Sequence, residues 1–282
     1  MNKWIAGARP KTLPAAIAPV AVASALAGNN FDPLLALLAL LVSLSLQIGV
    51  NYANDYSDGI KGTDDNRIGP MRLVASGAAS AHQVRNAAYM ALGCGAVFGL
   101  ILALQSSLWL LVIGALAIVA AWGYTGGKNP YGYFGFGELA VFVFFGLVAT
   151  MGTYFAQTGA LTWNSLIVAI PMGCLSCALL AINNIRDRAA DELVGKRTLA
   201  VRLGDSSARI AFIALLLVAH ISVLLLLQPW TLLTLLLLPM TFALIKQIHA
   251  GAIGADLIPL LGKTGKLQLR FAILLALGLL LS

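Results

Sequence analysis

Charge is scarce in this chain. Asp, Glu, Lys and Arg make up 10% of its 282 residues, less than half of the roughly 25% usual in soluble domains. So few ionised groups argue against a water-facing globular surface. Cysteine and histidine are scarce too, at three each. His82, His220 and His249 have no metal-ligand spacing. Cys174 and Cys177 form a C-x-x-C, but it lies inside the apolar run "PMGCLSCALLAI", where packing is the simpler role. Cys94 reads the same way. A disulfide framework and a thiol–imidazole zinc site are therefore set aside. Alternating apolar and polar positions, the mark of a transmembrane barrel, are missing as well.

What the chain has instead is apolar length. Residues of hydrophobic type make up 60%, and runs of about 20 of them recur, enough to cross a bilayer as helix. The expected fold is all-α: a polytopic integral membrane protein with one domain over 1–282. Nine spans are expected, at about 12–28, 33–54, 82–103, 108–125, 137–157, 164–185, 207–227, 230–248 and 266–281. Lys3, Arg9 and Lys11 before the first run imitate a signal peptide. With the rest equally apolar there is no soluble cargo, so that run is read as a retained first span.

The 18 Lys and Arg residues fix an orientation. The connections after spans one, three, five and seven ("GNNFDP", "QSS", "QTGALTW", "QPW") carry none of them. All 18 fall on the opposite side, which the positive-inside rule makes cytoplasmic. The N-terminus is then cytoplasmic and the C-terminus outside. The net charge of +7 is accounted for by topology and anionic headgroups rather than nucleic acid.

The acids are concentrated. "NYANDYSDGIKGTDDNRIGPMR", Asn51 to Arg72, holds four Asp, three cations and three Asn. At helical spacing Asn51, Asp55 and Asp58 share a stripe about 60° wide, with Asn54 beside it. Asp64 and Asp65 follow Gly59 and Gly62, where the helix is expected to break. A second cluster, "NNIRDRAADELVGKRT", places Asn183, Asn184, Asp187 and Asp191 within about 100° of one another. Both clusters end a span on the same side, and both are followed by Gly and basic residues. Carboxylates on one face repel unless cations intervene. Oxygen ligands without His or Cys suit Mg2+, which is commonly held by one or two carboxylates and substrate phosphates. Neighbouring Lys and Arg would contact the phosphate directly. Two such clusters read as a clamp for a metal-bridged diphosphate, and at a lipid interface that suggests a polyprenyl diphosphate. Metal and cations would stabilise the departing diphosphate, and a site inside the membrane would exclude water. Solvated helix termini are the competing reading for either cluster alone.

The residues resemble the UbiA superfamily of intramembrane aromatic prenyltransferases over the whole chain. Asn54, Asp55 and Asp58 match its first motif. Where many members place a third Asp four residues on, this chain has Gly62, and Asp64 takes the role. That pattern is similar to the menaquinone branch, as are "RPKTLP", "DNRIGPMRLV" and "YTGGKNPYGYFGFGE". The resemblance implies a bundle with a central cavity opening near the cytoplasmic side, in a bacterial cytoplasmic (inner) membrane. It implies transfer of a polyprenyl group to 1,4-dihydroxy-2-naphthoate with loss of its carboxylate, dependent on Mg2+, with two ions expected. Asn54, Asp55, Asp58, Asp64, Asp187 and Asp191 become the metal set, with Asp55, Asp58, Asp187 and Asp191 catalytic. Asn51, Asn183 and Asn184 line the same faces. Lys61, Arg67, Arg72, Lys128 and Lys196 are candidates for the diphosphate, although topology explains any one of them equally well. Arg9 would meet the acceptor's carboxylate or serve as an ordinary anchor. Tyr124 and Tyr131 would face substrate or sit in an interfacial belt. Glu138 would face the cavity or favour a helix start. The remaining alternatives are another acceptor of the same superfamily, 4-hydroxybenzoate or haem, and an ion-coupled transporter.

Overall fold

The structure is a computed structural model, and it describes residues 2–64 and 69–282. No strand occurs among the described residues. The helices are α1 (Lys3–Gly7), α2 (Pro14–Leu26), α3 (Pro33–Ile60), α4 (Ala81–Gln105), α5 (Trp109–Gly123), α6 (Gly137–Val141), α7 (Ala149–Thr158), α8 (Trp163–Leu193), α9 (Leu199–Val223), α10 (Leu238–His249) and α11 (Leu257–Leu280). Among the described residues six helical stretches are long and apolar enough to cross a membrane by length and composition. They are Pro33–Ile60, Ala81–Gln105, Gly137–Thr158, Trp163–Leu193, Leu199–Leu226 and Pro229–His249. Pro14–Leu26 and Trp109–Gly123 are shorter apolar helices. Leu257–Leu280 is long, but Lys263, Lys266 and Arg270 dilute it.

Local sequence explains the element ends. Asp32 caps α3 by accepting from the Leu34 and Leu35 N–H groups, with Pro33 as the first helical residue. Ser80 with Gln83 and Thr162 with Ser165 form reciprocal caps on α4 and α8. Gly204, at φ 77°, interrupts α9. Three features carry no sequence signal. The stretch Phe142–Val148 between α6 and α7 is π-helical, a widened turn that often marks functional sites. There Gly146 lies flat against Gly173 of α8, since a Cβ on Gly146 would sit 2.5 Å from the Gly173 Cα. The stretch Pro229–Leu237 is a 3-10 helix, whose rise of about 2 Å per residue spans more depth than α-helix of equal length.

The tightest core lies where α8, α9 and α11 meet, with Leu175, Phe212, Leu216, Leu267, Phe271 and Leu275 fully buried. α3 packs along α4, and α2 packs between α11 and α7. This leaves space enclosed by α2, α3, α5, the α6–α7 stretch and α8. α3 and α8 both run past their apolar segments, so their polar ends meet at one end of that space.

Candidate active site

That space is a cavity of about 260 Å³. One end is apolar, lined by Val20, Val42, Leu46, Leu102, Ile113, Phe144, Phe145 and Val148. The other is polar, lined by Arg9, Asn51, Asn54, Asp58, Arg72, Asn183, Asn184, Asp187 and Lys196, with Tyr124 and Tyr131. An amphiphile with a long hydrocarbon chain and an anionic head matches this gradient.

The first cluster sits at the C-terminal end of α3. Asp58 is almost fully buried. Its Oδ1 accepts from the Tyr133 hydroxyl at 2.9 Å, and its Oδ2 lies 3.4 Å from Lys196 Nζ. Asn54 accepts from the Thr125 hydroxyl at 2.8 Å. Asn51 donates to the Ala8 carbonyl and to Thr12 Oγ1. Arg9 donates to the Asn51 backbone carbonyl at 3.3 Å from a left-handed backbone, φ 53°. Such a conformation is uncommon for a residue with a Cβ and concentrates at functional sites.

Gly62 explains the departure from the usual Asp spacing. It adopts φ 71°, with its N–H on the Gly59 carbonyl. Only glycine takes this turn without strain. The turn brings Asp64 back to Arg72 Nε at 3.3 Å.

In the second cluster, Arg186 holds Asp187 through two parallel bonds of 2.7 and 2.8 Å. Asp191 lies 3.6 Å from Lys196 Nζ. Lys196 therefore bridges a carboxylate of each cluster. Asn183 donates to the Leu179 carbonyl, and Asn184 to Glu138 Oε1 at 2.8 Å.

Some expected residues are placed elsewhere. Asp55 turns away from the cavity lining: its two oxygens accept the Leu73 and Val74 N–H groups at 2.9 and 3.1 Å. Lys128 is exposed and lies outside the cavity lining. Arg67 lies outside the described residues. Glu138 stands behind Asn184, outside the cavity wall, and Lys61, Asp64 and Asp191 likewise lie outside that wall, beside it through Tyr133, Arg72 and Lys196.

Tyr133 is the residue that sequence reading missed. Its hydroxyl meets both Asp58 Oδ1 and Thr63 Oγ1, each at 2.9 Å. Its ring carries Lys61 Nζ at 4.7 Å and Lys196 Nζ at 5.2 Å from the centroid. Burial and the Asp58 charge push the phenol's pKa well up, so it stays a donor to Asp58 at neutral pH. Burial pushes Tyr131 up to about 12, and its hydroxyl is engaged with the Ala120 carbonyl. Lys61 donates to the Thr125 carbonyl at 2.8 Å, and burial lowers its pKa against the opposing pull of Asp58. The sequence held one signal for Tyr133, the dense run "YGYFGFGE", but nothing ranked it above Tyr131.

Tyr133→Phe separates hydroxyl from ring. Losing one charge-assisted bond is expected to lower kcat/KM about tenfold. Tyr133→Leu also removes the platform under two ammonium groups and is expected to cost about tenfold more. Steady-state kinetics on both variants checks this, and equal values for the two would remove the ring's role.

The UbiA prenyltransferase family model matches residues 16–253. The chain belongs to the UbiA prenyltransferase family. Several curated relatives are similar to this UbiA member over most of its length. A 1,4-dihydroxy-2-naphthoate octaprenyltransferase of Mycobacterium tuberculosis is 49% identical, covering 97% of this chain and 95% of that protein. The Escherichia coli protein of the same name is 42% identical over 73% of this chain and 70% of its own length. The human UbiA prenyltransferase domain-containing protein 1 is 30% identical over 99% and 83%. Among solved structures, a UbiA homolog from Archaeoglobus fulgidus bound to GPP and Mg2+ matches with TM-score 0.69, covering 100% of both chains at 15% identity. That likeness establishes the UbiA fold.

A metal here would need hard oxygen donors, and Asp58, Asp64, Asp187 and Asp191 carry carboxylate oxygens of that kind. Among the described residues no three His, Cys, Asp or Glu side chains sit close enough to hold an ion by themselves. Mg2+ would be held here only with its shell completed by substrate phosphates and water.

Proposed function

We propose that this UbiA family member transfers a polyprenyl group from polyprenyl diphosphate to 1,4-dihydroxy-2-naphthoate, with loss of the ring carboxylate, giving demethylmenaquinone. The observation that carries the chemistry is the single cavity with an apolar tail and an Asp-, Asn-, Lys- and Arg-lined head. The acceptor rests on relatives of that name that are up to 49% identical over nearly the full chain. The prenyl chain lies along Val42, Leu46, Phe144 and Phe145, and the diphosphate lies between the α3 and α8 ends.

Asp58, Asp187 and Asp191, with Asp64, would hold Mg2+, two ions in this reading. Bound Mg2+ would supply positive charge to the diphosphate leaving group. Lys61, Lys196 and Arg72 add cationic donors to the same oxygens as the allylic C–O bond ionises. Tyr133 fixes two of these ammonium groups relative to Asp58. The apolar walls keep water from the cationic prenyl carbon until the ring attacks. Arg9, held by Asn51, meets the acceptor carboxylate. Nine membrane spans in a bacterial cytoplasmic membrane, with both Asp-rich ends cytoplasmic and the C-terminus outside, complete the reading. The one-sided distribution of Lys and Arg supports it.

The test gives purified protein each aromatic acceptor with a polyprenyl diphosphate and reads product mass. A prenylated product lacking the carboxylate is expected from dihydroxynaphthoate, with turnover lost on chelation and restored by Mg2+. Turnover of 4-hydroxybenzoate but not of dihydroxynaphthoate would overturn the acceptor. Solute uptake by proteoliposomes without prenylation would overturn the enzyme reading.

A further inference from the structure

The amide groups at the head of the cavity are not interchangeable, because each has one end already engaged. Asn51 spends its Nδ2 on the Ala8 carbonyl and Thr12. Asn183 spends its Nδ2 on the Leu179 carbonyl at 3.1 Å. Asn184 spends its Nδ2 on Glu138 Oε1 at 2.8 Å. A carboxylate accepts and cannot donate, so the amide nitrogen must be the atom that faces Glu138. In all three the carbonyl oxygen has no hydrogen-bond partner among the described residues, and all three residues line the cavity. Asn54 is the reverse: its oxygen is taken by Thr125.

Of these anchors only Glu138 is a carboxylate, and it belongs to another helix. It stands behind Asn184 at the start of α6 and borders a second, apolar cavity of about 360 Å³. Its segment is pinned. The Cys177 thiol donates to the Glu138 backbone carbonyl at 3.1 Å. Gly137 sits where a Cβ would lie 3.2 Å from the Tyr124 ring and 3.3 Å from Leu180. Glu138 Oε2 is buried with no partner among the described residues. Burying a carboxylate for a single neutral partner is costly. Orienting that partner is a return on the cost.

We propose that Glu138 is a positioning residue that fixes the polarity of Asn184, so that its Oδ1 accepts a hydrogen bond from a ring hydroxyl of the aromatic acceptor. This rests on the acceptor reading above. Without Glu138, the amide can rotate and offer its NH2, which repels a hydroxyl hydrogen. A site built to accept from a hydroxyl discriminates strongly for acceptors that carry one.

The experiment first establishes dihydroxynaphthoate turnover by the unmodified protein. Failure there defeats the functional reading and not this proposal alone. With turnover in hand, Glu138→Leu is expected to raise the acceptor KM about tenfold, the loss of one oriented hydrogen bond. The KM for polyprenyl diphosphate should stay within about twofold. Glu138→Gln can donate as well as accept, so it no longer fixes the amide and is expected to leave the acceptor KM between those of the unmodified protein and Glu138→Leu. Asn184→Ala should match Glu138→Leu, and the double variant should add nothing further. An unchanged acceptor KM in Glu138→Leu, equal increases in both KM values, or additive losses in the double variant would each overturn the proposal. Should Glu138→Leu fail to fold, Asn184→Ala alone still decides: an unchanged acceptor KM there overturns it.

Discussion

Asp58→Asn is expected to lower kcat/KM about a thousandfold, and Asp187→Asn to do the same, with the helical fold retained. Both substitutions keep side-chain shape and remove one negative charge. At Asp58 the loss is compounded by donor clash. One oxygen accepts from Tyr133 and the other faces Lys196, so the new NH2 either meets the Lys196 ammonium or forces the Tyr133 hydroxyl to turn its hydrogen to Thr63. At Asp187 both oxygens accept from the Arg186 fork, and an amide can satisfy only one of the two bonds. In each case the site loses an oxygen for a hard cation where the surroundings are buried and charge is worth most. Kinetics at saturating Mg2+, together with thermal unfolding in detergent, checks this. Near-normal turnover in both variants would remove the metal-diphosphate reading.

The helical architecture was legible because the bilayer length leaves a plain mark. Apolar runs of the required length coincide with α3, α4 and α8, and the Asp-rich ends could be seen as helical continuations from the spacing of Asn51, Asp55 and Asp58. Gly59 and Gly62 pointed to a break, and α3 ends at Ile60 between them. Gly62 stood out as a departure in the pattern, and its positive φ supplies the reason. The rest was written in tertiary contacts. Tyr133 and Tyr131 lie two residues apart in one 3-10 turn, Tyr131–Phe134, and only the way that turn packs over the end of α3 sends one to Asp58 and the other to Ala120. Asp55 and Asp58 fell on one stripe, yet a docked loop claims the first. Glu138 could face either side of its helix, and the packing of Gly137 against Tyr124 and Leu180 decides for the far side. The π-helical stretch depends on packing against α8, which no local pattern encodes.

Asp55 gives the opposite expectation from Asp58, although the two sit one turn apart. Asp55 is fully buried and binds the backbone N–H groups of Leu73 and Val74. These residues are seated in notches cut for them. A Cβ on Gly59 would lie 2.5 Å from Val74 Cβ, and one on Gly7 would lie 2.7 Å from a Leu73 methyl. Leu73 is itself fully buried. Asp55→Ala leaves two backbone donors inside the protein without their acceptor, at about 1–3 kcal/mol each. The expected result is a loss of roughly 2–5 kcal/mol of stability, read as a lowered unfolding midpoint in detergent. The same loop carries Arg72, which faces Asp64, so activity should fall as the loop loosens. Asp55→Asn keeps one acceptor and should recover about half of the lost stability. Wild-type unfolding in Asp55→Ala together with lost turnover would instead assign Asp55 to the metal set. The stripe would then divide by a different rule: Asp58 toward the diphosphate by its lysine and tyrosine partners, and Asp55 by charge alone.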